Sequence, residues 1–175
     1  VSNTTEAGIV FDDTDKFELN PPKTFPGKLT KFLYHRFETF KGDKNKGLVM
    51  LPVELIDDNG IMLHKCVLQL IDLWGLGEEF KNWVEEACVF TSTLVDRIIT
   101  GYPKATEEAE WEKLGYIDRI MVTGEPFALW VIESAKDISG ELPLPDAGLP
   151  VIYTDNQKPY KQRKVRILNG AHTSF

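Results

Sequence analysis

The sequence predicts an α/β protein: the later part of an open sheet flanked by helices, followed by the opening helix of a second domain. Three observations carry this. First, Gly47-Leu48-Val49-Met50-Leu51-Pro52-Val53 is a continuous apolar run of strand length, as expected of a strand buried on both faces. Second, the turn Asp57-Asp58-Asn59-Gly60 follows it, and then Met62, Cys66, Leu70 and Leu73 recur at helical spacing up to Gly75. Strand, turn and helix in that order are the building unit of an α/β sheet. Ligands of such sheets sit at the carboxyl ends of the strands, which is where Asn59 falls. Third, a connection rich in Pro, Gly and Asp separates this sheet from a basic helical stretch that begins near residue 159.

The remaining elements follow in order. Ser2-Asn3-Thr4-Thr5-Glu6-Ala7-Gly8 is a run of small polar residues with one acid, either a loop whose backbone approaches a ligand or an ordinary capped turn. Residues 11–24, with Asp12, Asp13, Asp15, Pro21 and Pro22, read as a surface connection. Phe25-Pro26-Gly27 leads into a helix in which Leu29, Phe32, Leu33, Phe37 and Phe40 recur, with Phe32, Phe37 and Phe40 turned inward. Lys41 to Lys46 is a charged loop. Glu78 to Glu86 is a shorter amphipathic helix with Phe80, Trp83 and Val84 on its apolar side. Val89 to Leu94 is a second strand, and Asp96-Arg97 beyond it is either a salt-bridged corner or a polar anchor at the sheet edge. Thr106 to Lys113 is an acidic surface helix. Ile117 to Thr123 and Phe127 to Ile132 have strand character, broken by Gly124-Glu125-Pro126. Residues 136–159 form the long connection, with one short apolar stretch, Pro150-Val151-Ile152-Tyr153. The domains are therefore 1–158 and 159–175.

Composition sets the class. The 175 residues are 42% hydrophobic and 27% charged, the profile of a globular protein with one main core. A formal charge of −7 argues against nucleic acid or an anionic membrane as partner, and leaves room for a small anionic ligand in a local basic pocket. No apolar run is long enough to cross a bilayer. Cys66 and Cys88 are far apart in apolar sequence and read as reduced core thiols of a cytoplasmic protein. They do not assemble with a histidine into a metal-ligand pattern, so no metal is expected. The composition sets no oligomeric state. The opening on Val1-Ser2-Asn3-Thr4 reads as a strand end, and Ser174-Phe175 falls just past the last helix. The expectation is a piece of a longer chain.

The chemistry concentrates in Lys164-Val165-Arg166-Ile167-Leu168-Asn169-Gly170-Ala171-His172. On an α-helix, at about 100° per residue, Asn169 lies about 140° and His172 about 80° round from Lys164, which puts all three on one side. A lysine stripped of hydration can act as a general base. An asparagine N–H can donate to a developing alkoxide, and a histidine can orient a hydroxyl. The competing reading is a solvated cationic helix end, with Lys161, Arg163, Lys164 and Arg166 as its charged face and Asn169-Gly170 as its stop.

The pattern Lys-x4-Asn-x2-His formed by Lys164, Asn169 and His172 resembles the signature of the polyol-specific long-chain dehydrogenases, the mannitol dehydrogenase family. Three upstream stretches are similar to that family in order: Ser2 to Gly8, Pro52 to Gly60, and Leu94-Val95-Asp96-Arg97-Ile98. The resemblance implies the later part of a Rossmann-type nucleotide-binding domain over residues 1–158, and then the first helix of a mainly helical substrate domain. The nucleotide fingerprint of the family would precede Val1. It also implies an NAD-linked oxidoreductase that needs no metal, since hydride passes directly between substrate carbon and nicotinamide. Lys164 would be base for alcohol oxidation and acid for ketone reduction. Asn169, with Asn59 across the cleft, would hold the carbinol oxygen, and His172 would orient a substrate hydroxyl. Asn3, Thr4, Glu6 and Asp96 would line the cofactor side.

Within the family, Ser2–Gly8, Glu54–Gly60 and Glu125-Pro126-Phe127 through Trp130–Glu133 look most like the uronate reductases, so a sugar acid is the expected partner. A fructuronate or mannitol-type polyol dehydrogenase and a non-catalytic sugar-acid-binding domain are the alternatives. Val53 and Leu55 stand where mannitol dehydrogenases usually have Cys and Asn. Lys161 stands where they tend to have Glu. Lys161 or Arg163 is either the counter-charge for a uronate carboxylate or part of a solvated basic face.

Overall fold

The computed structural model describes residues 1–5 and 7–169, with the backbone alone for 167–169. Glu6 and His172 lie outside the described residues, as does the side chain of Asn169. In chain order the elements are helix α1 (Phe25–Thr39), strand β1 (Val49–Met50), helices α2 (Asn59–Trp74) and α3 (Glu78–Ala87), strands β2 (Val89–Phe90), β3 (Ser92–Asp96) and β4 (Ile99–Gly101), and helix α4 (Glu107–Leu114). Strands β5 (Thr123–Gly124), β6 (Leu129–Glu133) and β7 (Val151–Thr154) follow, then helix α5 (Lys158–Arg163) and a π-helical turn, Lys164–Asn169.

The apolar run becomes the centre of the fold. β1 pairs parallel with β2, Val49 opposite Val89, and Ser2 forms a parallel bridge to Pro52. The opening residues thus lie beside β1 as a further parallel segment. The β1 ladder is shorter than the apolar run because Pro52 has no N–H to give. Alternate residues face opposite ways. Met50 packs with Leu63, Val67, Phe80 and Val84 beneath α1, α2 and α3, while Val49 and Leu51 pack with Ile132, Ile138, Trp130 and Val151 on the other side. Burial on both faces is what the sequence pattern called for.

β2 runs into β3 through Thr91, whose N–H and hydroxyl both donate to the Met50 carbonyl, at 3.1 and 2.9 Å. β3 then pairs antiparallel with β6, Asp96 opposite Leu129 and Ser92 opposite Glu133, and β6 pairs parallel with β7. The stretch Val151–Thr154, expected to lie inside a long connection, is therefore an edge strand. β-branched and aromatic residues make it pair as soon as β6 offers a free edge.

Helix α1 starts where its sequence directs. Thr24 accepts from the Gly27 N–H at 3.0 Å, and a proline occupies the first turn. The buried Asp15 carboxylate accepts from the N–H groups of Lys23 and Thr24 and from the Thr24 hydroxyl. Two expectations for this helix are corrected. Phe32 is 55% and Phe40 39% exposed, and Leu33 and Thr30 form the buried stripe instead. Phe40 serves as a platform for cations, with the Arg36 guanidinium 4.9 Å from its ring centre. Residues 117–122 also do not extend as a strand. The Asp118 carboxylate accepts from the Ile120 N–H and the Asp118 carbonyl accepts from the Trp111 indole, both near 2.9 Å, which turns the chain locally before a ladder can form. Only Thr123–Gly124 pairs, with β4.

The first turn of α2 lies directly on the β2–β3 link: a Cβ at Gly60 would sit 1.9 Å from the Thr91 carbonyl oxygen. Gly60→Ala is expected to lower unfolding free energy by about 3 kcal/mol. Gly140→Ala, where a Cβ would meet nothing within 4 Å, should change it by less than about 0.5 kcal/mol. Urea unfolding of the two variants checks the difference.

Candidate active site

The carboxyl ends of the Ser2 segment, of β1 and of β3 open on the same side as α5, and the polar residues singled out in the sequence gather there. Just past β1, Glu54 is 3% exposed and grips the opening loop. Its carboxylate accepts from the Ser2 hydroxyl at 3.1 Å, the Thr4 N–H at 3.0 Å and the Thr4 hydroxyl at 2.9 Å. Burial pushes such a carboxyl up. Here the bonds from Thr4, from the Glu54 N–H itself and from Ser2 outweigh burial and hold the group below the ordinary glutamate value. Asn3 lies exposed between the two anchored residues. Sequence reasoning did not single out Glu54. The only signal was an acid closing an apolar run in a chain whose opening loop is rich in hydroxyls.

Asn59, at the start of α2, is 1% exposed. Its Nδ2 lies 3.0 Å from the Pro52 carbonyl, 3.1 Å from that of Glu54 and 3.3 Å from that of Thr93. Its Oδ1 accepts from the N–H groups of Thr93 and Gly60, both at 2.9 Å. The amide has no bond left to offer a substrate. Asn59 fixes the shape of the site and does not reach across it, so it is not carried into the catalytic set below.

Lys164 is where the sequence argument is sharpened. Its side chain is 20% exposed and lies against Asp96, 13% exposed, with Nζ 3.4 Å from Oδ1. The shorter contact is to backbone: Nζ donates to the Val95 carbonyl at 2.7 Å. At 3.4 Å the carboxylate adds attraction more than a directed hydrogen bond. A solvated helix-end lysine would extend outward, whereas this one turns onto the end of β3. One turn earlier, Lys161 Nζ meets Asp57 Oδ1 at 2.7 Å, across from the loop that follows β1. The structure thus brings Lys164 and Asp96 together and places Thr4 and Asn3 at the end of the neighbouring parallel segment.

The backbone from Lys164 to Asn169 is a π-helical turn. Residues five apart, as Lys164 and Asn169 are, come one turn above each other in that geometry, in place of the wide angle an α-helix gives. An open depression of about 290 Å³ runs along Lys158, Lys161, Gln162, Val165 and Arg166. Another, of about 220 Å³, lies at the far ends of β6 and β7 beside Ser134 and Thr154, away from Lys164.

Cys66 and Cys88 are free and buried, and burial pushes both thiols up, which keeps them unreactive. Among the described residues no group of three His, Cys, Asp or Glu side chains is placed to hold a metal ion, and no described helix is long and apolar enough to cross a membrane.

Comparison with known proteins bears on this arrangement. A family model described as the mannitol dehydrogenase Rossmann domain matches residues 2–146. Altronate oxidoreductase of Bacteroides thetaiotaomicron is 53% identical over 173 residues, covering 99% of this chain and 36% of that protein. Altronate oxidoreductase of Bacillus subtilis is 51% identical over 175 residues, covering all of this chain and 36% of that one. The chain therefore spans about a third of the length of these relatives. Among solved structures, a substrate-free D-sorbitol dehydrogenase superposes with a TM-score of 0.73 at 24% identity, over 96% of this chain and 36% of that one. Mannitol 2-dehydrogenase of Pseudomonas fluorescens, in a ternary complex with NAD and D-mannitol, superposes with a TM-score of 0.68 at 24% identity, over 96% and 35%. Both share the fold.

The anchoring of the opening loop has a pH signature. A carboxyl held below its ordinary value stabilises the fold fully above about pH 4.5, and that contribution drains as pH falls toward the lowered folded value. Asp15, also held low against the upward push of burial by its bonds from Thr24, Lys23 and Lys16, acts with the same sign. Urea unfolding between pH 7 and pH 3 is expected to show stability falling below pH 4.5, with a shallower fall in Glu54→Gln. Equal slopes in the two proteins would remove Glu54 as a contributor.

Proposed function

The chain belongs to the mannitol dehydrogenase family, and from that premise we propose that the full-length protein interconverts tagaturonate and altronate with NAD, using Lys164 as the group that exchanges a proton with the reacting oxygen. The observation that carries the proposal is the placement of Lys164 on the carboxyl end of β3, held by the Val95 carbonyl and beside Asp96. Carboxyl ends of strands are where α/β sheets of this kind receive their ligands. The sugar-acid substrate is supported by relatives more than half identical over the whole chain that are altronate oxidoreductases.

The residues present fit the nicotinamide end of the cofactor. Asn3 offers an exposed amide of the kind a carboxamide pairs with, and Glu54 fixes the backbone of Thr4 beside it. NAD, when bound, accepts or supplies the hydride. Asn3, Thr4, Glu6 and Asp96 are proposed to line its side of the site.

The chain's own chemistry is then proton handling and charge stabilisation. In reduction the Lys164 ammonium gives a proton to the ketone oxygen; in oxidation the neutral amine takes it from the hydroxyl. Asn169, one π turn further on, donates an amide N–H to the same oxygen as negative charge develops. His172 orients a neighbouring hydroxyl of the substrate. Residues 159–175 in this reading open the substrate-side domain.

In the full-length protein, Lys164→Ala is expected to lower kcat for tagaturonate by about 10²–10⁴-fold while NADH binding, followed by fluorescence titration, persists. Turnover in that variant comparable to wild type would refute the role of Lys164. In a panel of tagaturonate, fructuronate and fructose, tagaturonate is expected to give the highest kcat/KM, and a preference for fructose would refute the sugar-acid assignment.

A further inference from the structure

We propose that Lys161 receives the carboxylate of the sugar acid, and that Asp57 is a resident counter-ion which the substrate displaces. The proposal rests on the sugar-acid oxidoreductase reading above and supplies the charged subsite that reading requires.

A sugar acid brings a full negative charge into the site, and a chain of net charge −7 repels it unless a local cation answers. From Lys158 to Asn169 the chain carries five cations and no acid. Their geometry sorts them. On helix α5, Lys161 lies one turn before Lys164, about 60° from it around the axis, with the two Cβ atoms about 5–6 Å apart. Both ammonium groups turn to the strand ends: Lys164 to Val95 and Asp96, Lys161 to Asp57. A small ligand with a reacting oxygen at one position and a carboxylate a few carbons away matches two cations so spaced. The others make no such contact with the strand ends. The Arg163 guanidinium lies 5.9 Å from the centre of the Tyr160 ring. Arg166 is exposed and falls near the opposite side of the turn from Lys164, and Lys158 is exposed at the start of the helix.

The state of Lys161 also fits. Its side chain is 36% exposed and its partner Asp57 79%. An ion pair in such contact with water is held weakly, so exchanging one carboxylate for another costs little. The open depression along Lys158, Lys161, Gln162, Val165 and Arg166, about 290 Å³, exposes Lys161 from the solvent side and is near the lower end of small-ligand sites. Lys158 and Arg166 at its rim add positive charge without facing the strand ends. Asp57 keeps the Lys161 ammonium turned toward the strand ends in the absence of ligand, and competes with the substrate for it.

Two roles for the pair make opposite predictions. As a carboxylate receiver with a competing counter-ion, Lys161→Met raises KM for tagaturonate about 10–100-fold with kcat little changed, Lys161→Arg restores most of the loss, and Asp57→Asn lowers KM. As a structural latch between α5 and the loop after β1, Lys161→Met and Asp57→Asn would raise KM together. The measurement is steady-state kinetics on the full-length protein and its three variants, with calorimetric binding of altronate and of the corresponding uncharged alditol, and thermal melts to confirm folding. The expected result is that Lys161→Met weakens altronate and spares the alditol. An unchanged KM in Lys161→Met, or a raised KM in Asp57→Asn, overturns the proposal. Wild-type protein that reduces a neutral ketose and ignores tagaturonate is a separate outcome: it refutes the sugar-acid reading itself and the subsite with it.

Discussion

Where the β1–β2 ladder ends and β2 passes into β3, the carbonyls of Pro52, Glu54 and Thr93 and the N–H of Thr93 lose the ladder partners that a continuing sheet would give them, and the amide of Asn59 takes them up. Each such group left bare in the interior would cost about 1–3 kcal/mol, against a total domain stability of only about 5–15 kcal/mol. The consequences spread outward. The first turn of α2 is fixed against the β2–β3 link, so closely that Gly60 has no room for a side chain. The backbone at Glu54 is fixed, which aims its carboxylate at Ser2 and Thr4. The course of β3 is fixed, which delivers the Val95 carbonyl and Asp96 to the place where Lys164 meets them.

The two sides of the site are held with unequal strength. The strand side rests on buried amide and carboxylate networks that water does not weaken. The α5 side meets the ends of β1 and β3 through ammonium groups, Lys161 to Asp57 and Lys164 to Val95 and Asp96. Val165, next to Lys164, is 50% exposed, and Leu55, two residues before Asp57, is 68% exposed, so neither of these described side chains joins the two sides by apolar packing. A rigid strand side suits the positioning of cofactor and hydride. A helix pinned by exchangeable charge contacts is consistent with the anionic substrate proposed above.

The sequence carried the strand-turn-helix unit around β1 and α2 because local periodicity reports which faces are apolar, and in this stretch no long-range contact overrides it. The buried cysteines and the short amphipathic helix α3 were legible for the same reason. What periodicity does not report is partnership. Val151–Thr154 reads as a scrap of apolar chain until β6 offers it an edge. Asn59 reads as a ligand-facing amide because it falls at a strand end, yet its partners lie on Pro52 and on Thr93, far along the chain. Glu54 carries a visible charge but no visible destination, since the hydroxyls that bind it come from the opening of the chain. Phe32 and Phe40 have the spacing of a buried stripe and lose it to Leu33 and Thr30, because a helix rich in aromatics has more apolar residues than one inward face can hold.

Lys164 shows what structure adds to two readings that spacing leaves open. A cationic helix end and a reactive lysine have the same neighbours in sequence; they differ in whether the ammonium leaves the protein surface or returns to it. With 20% exposure and a backbone carbonyl at 2.7 Å, it returns. The form of the helix bears on its partner too. Lys-x4-Asn is an awkward spacing for an α-helix, setting the two residues about 140° apart. A π turn, whose hydrogen bonds run between residues five apart, narrows that angle, and a π turn is what the backbone adopts from Lys164 to Asn169. The departure from regular helix thus bears on the proposal that Lys164 and Asn169 act together, since it changes the angle between their backbone positions.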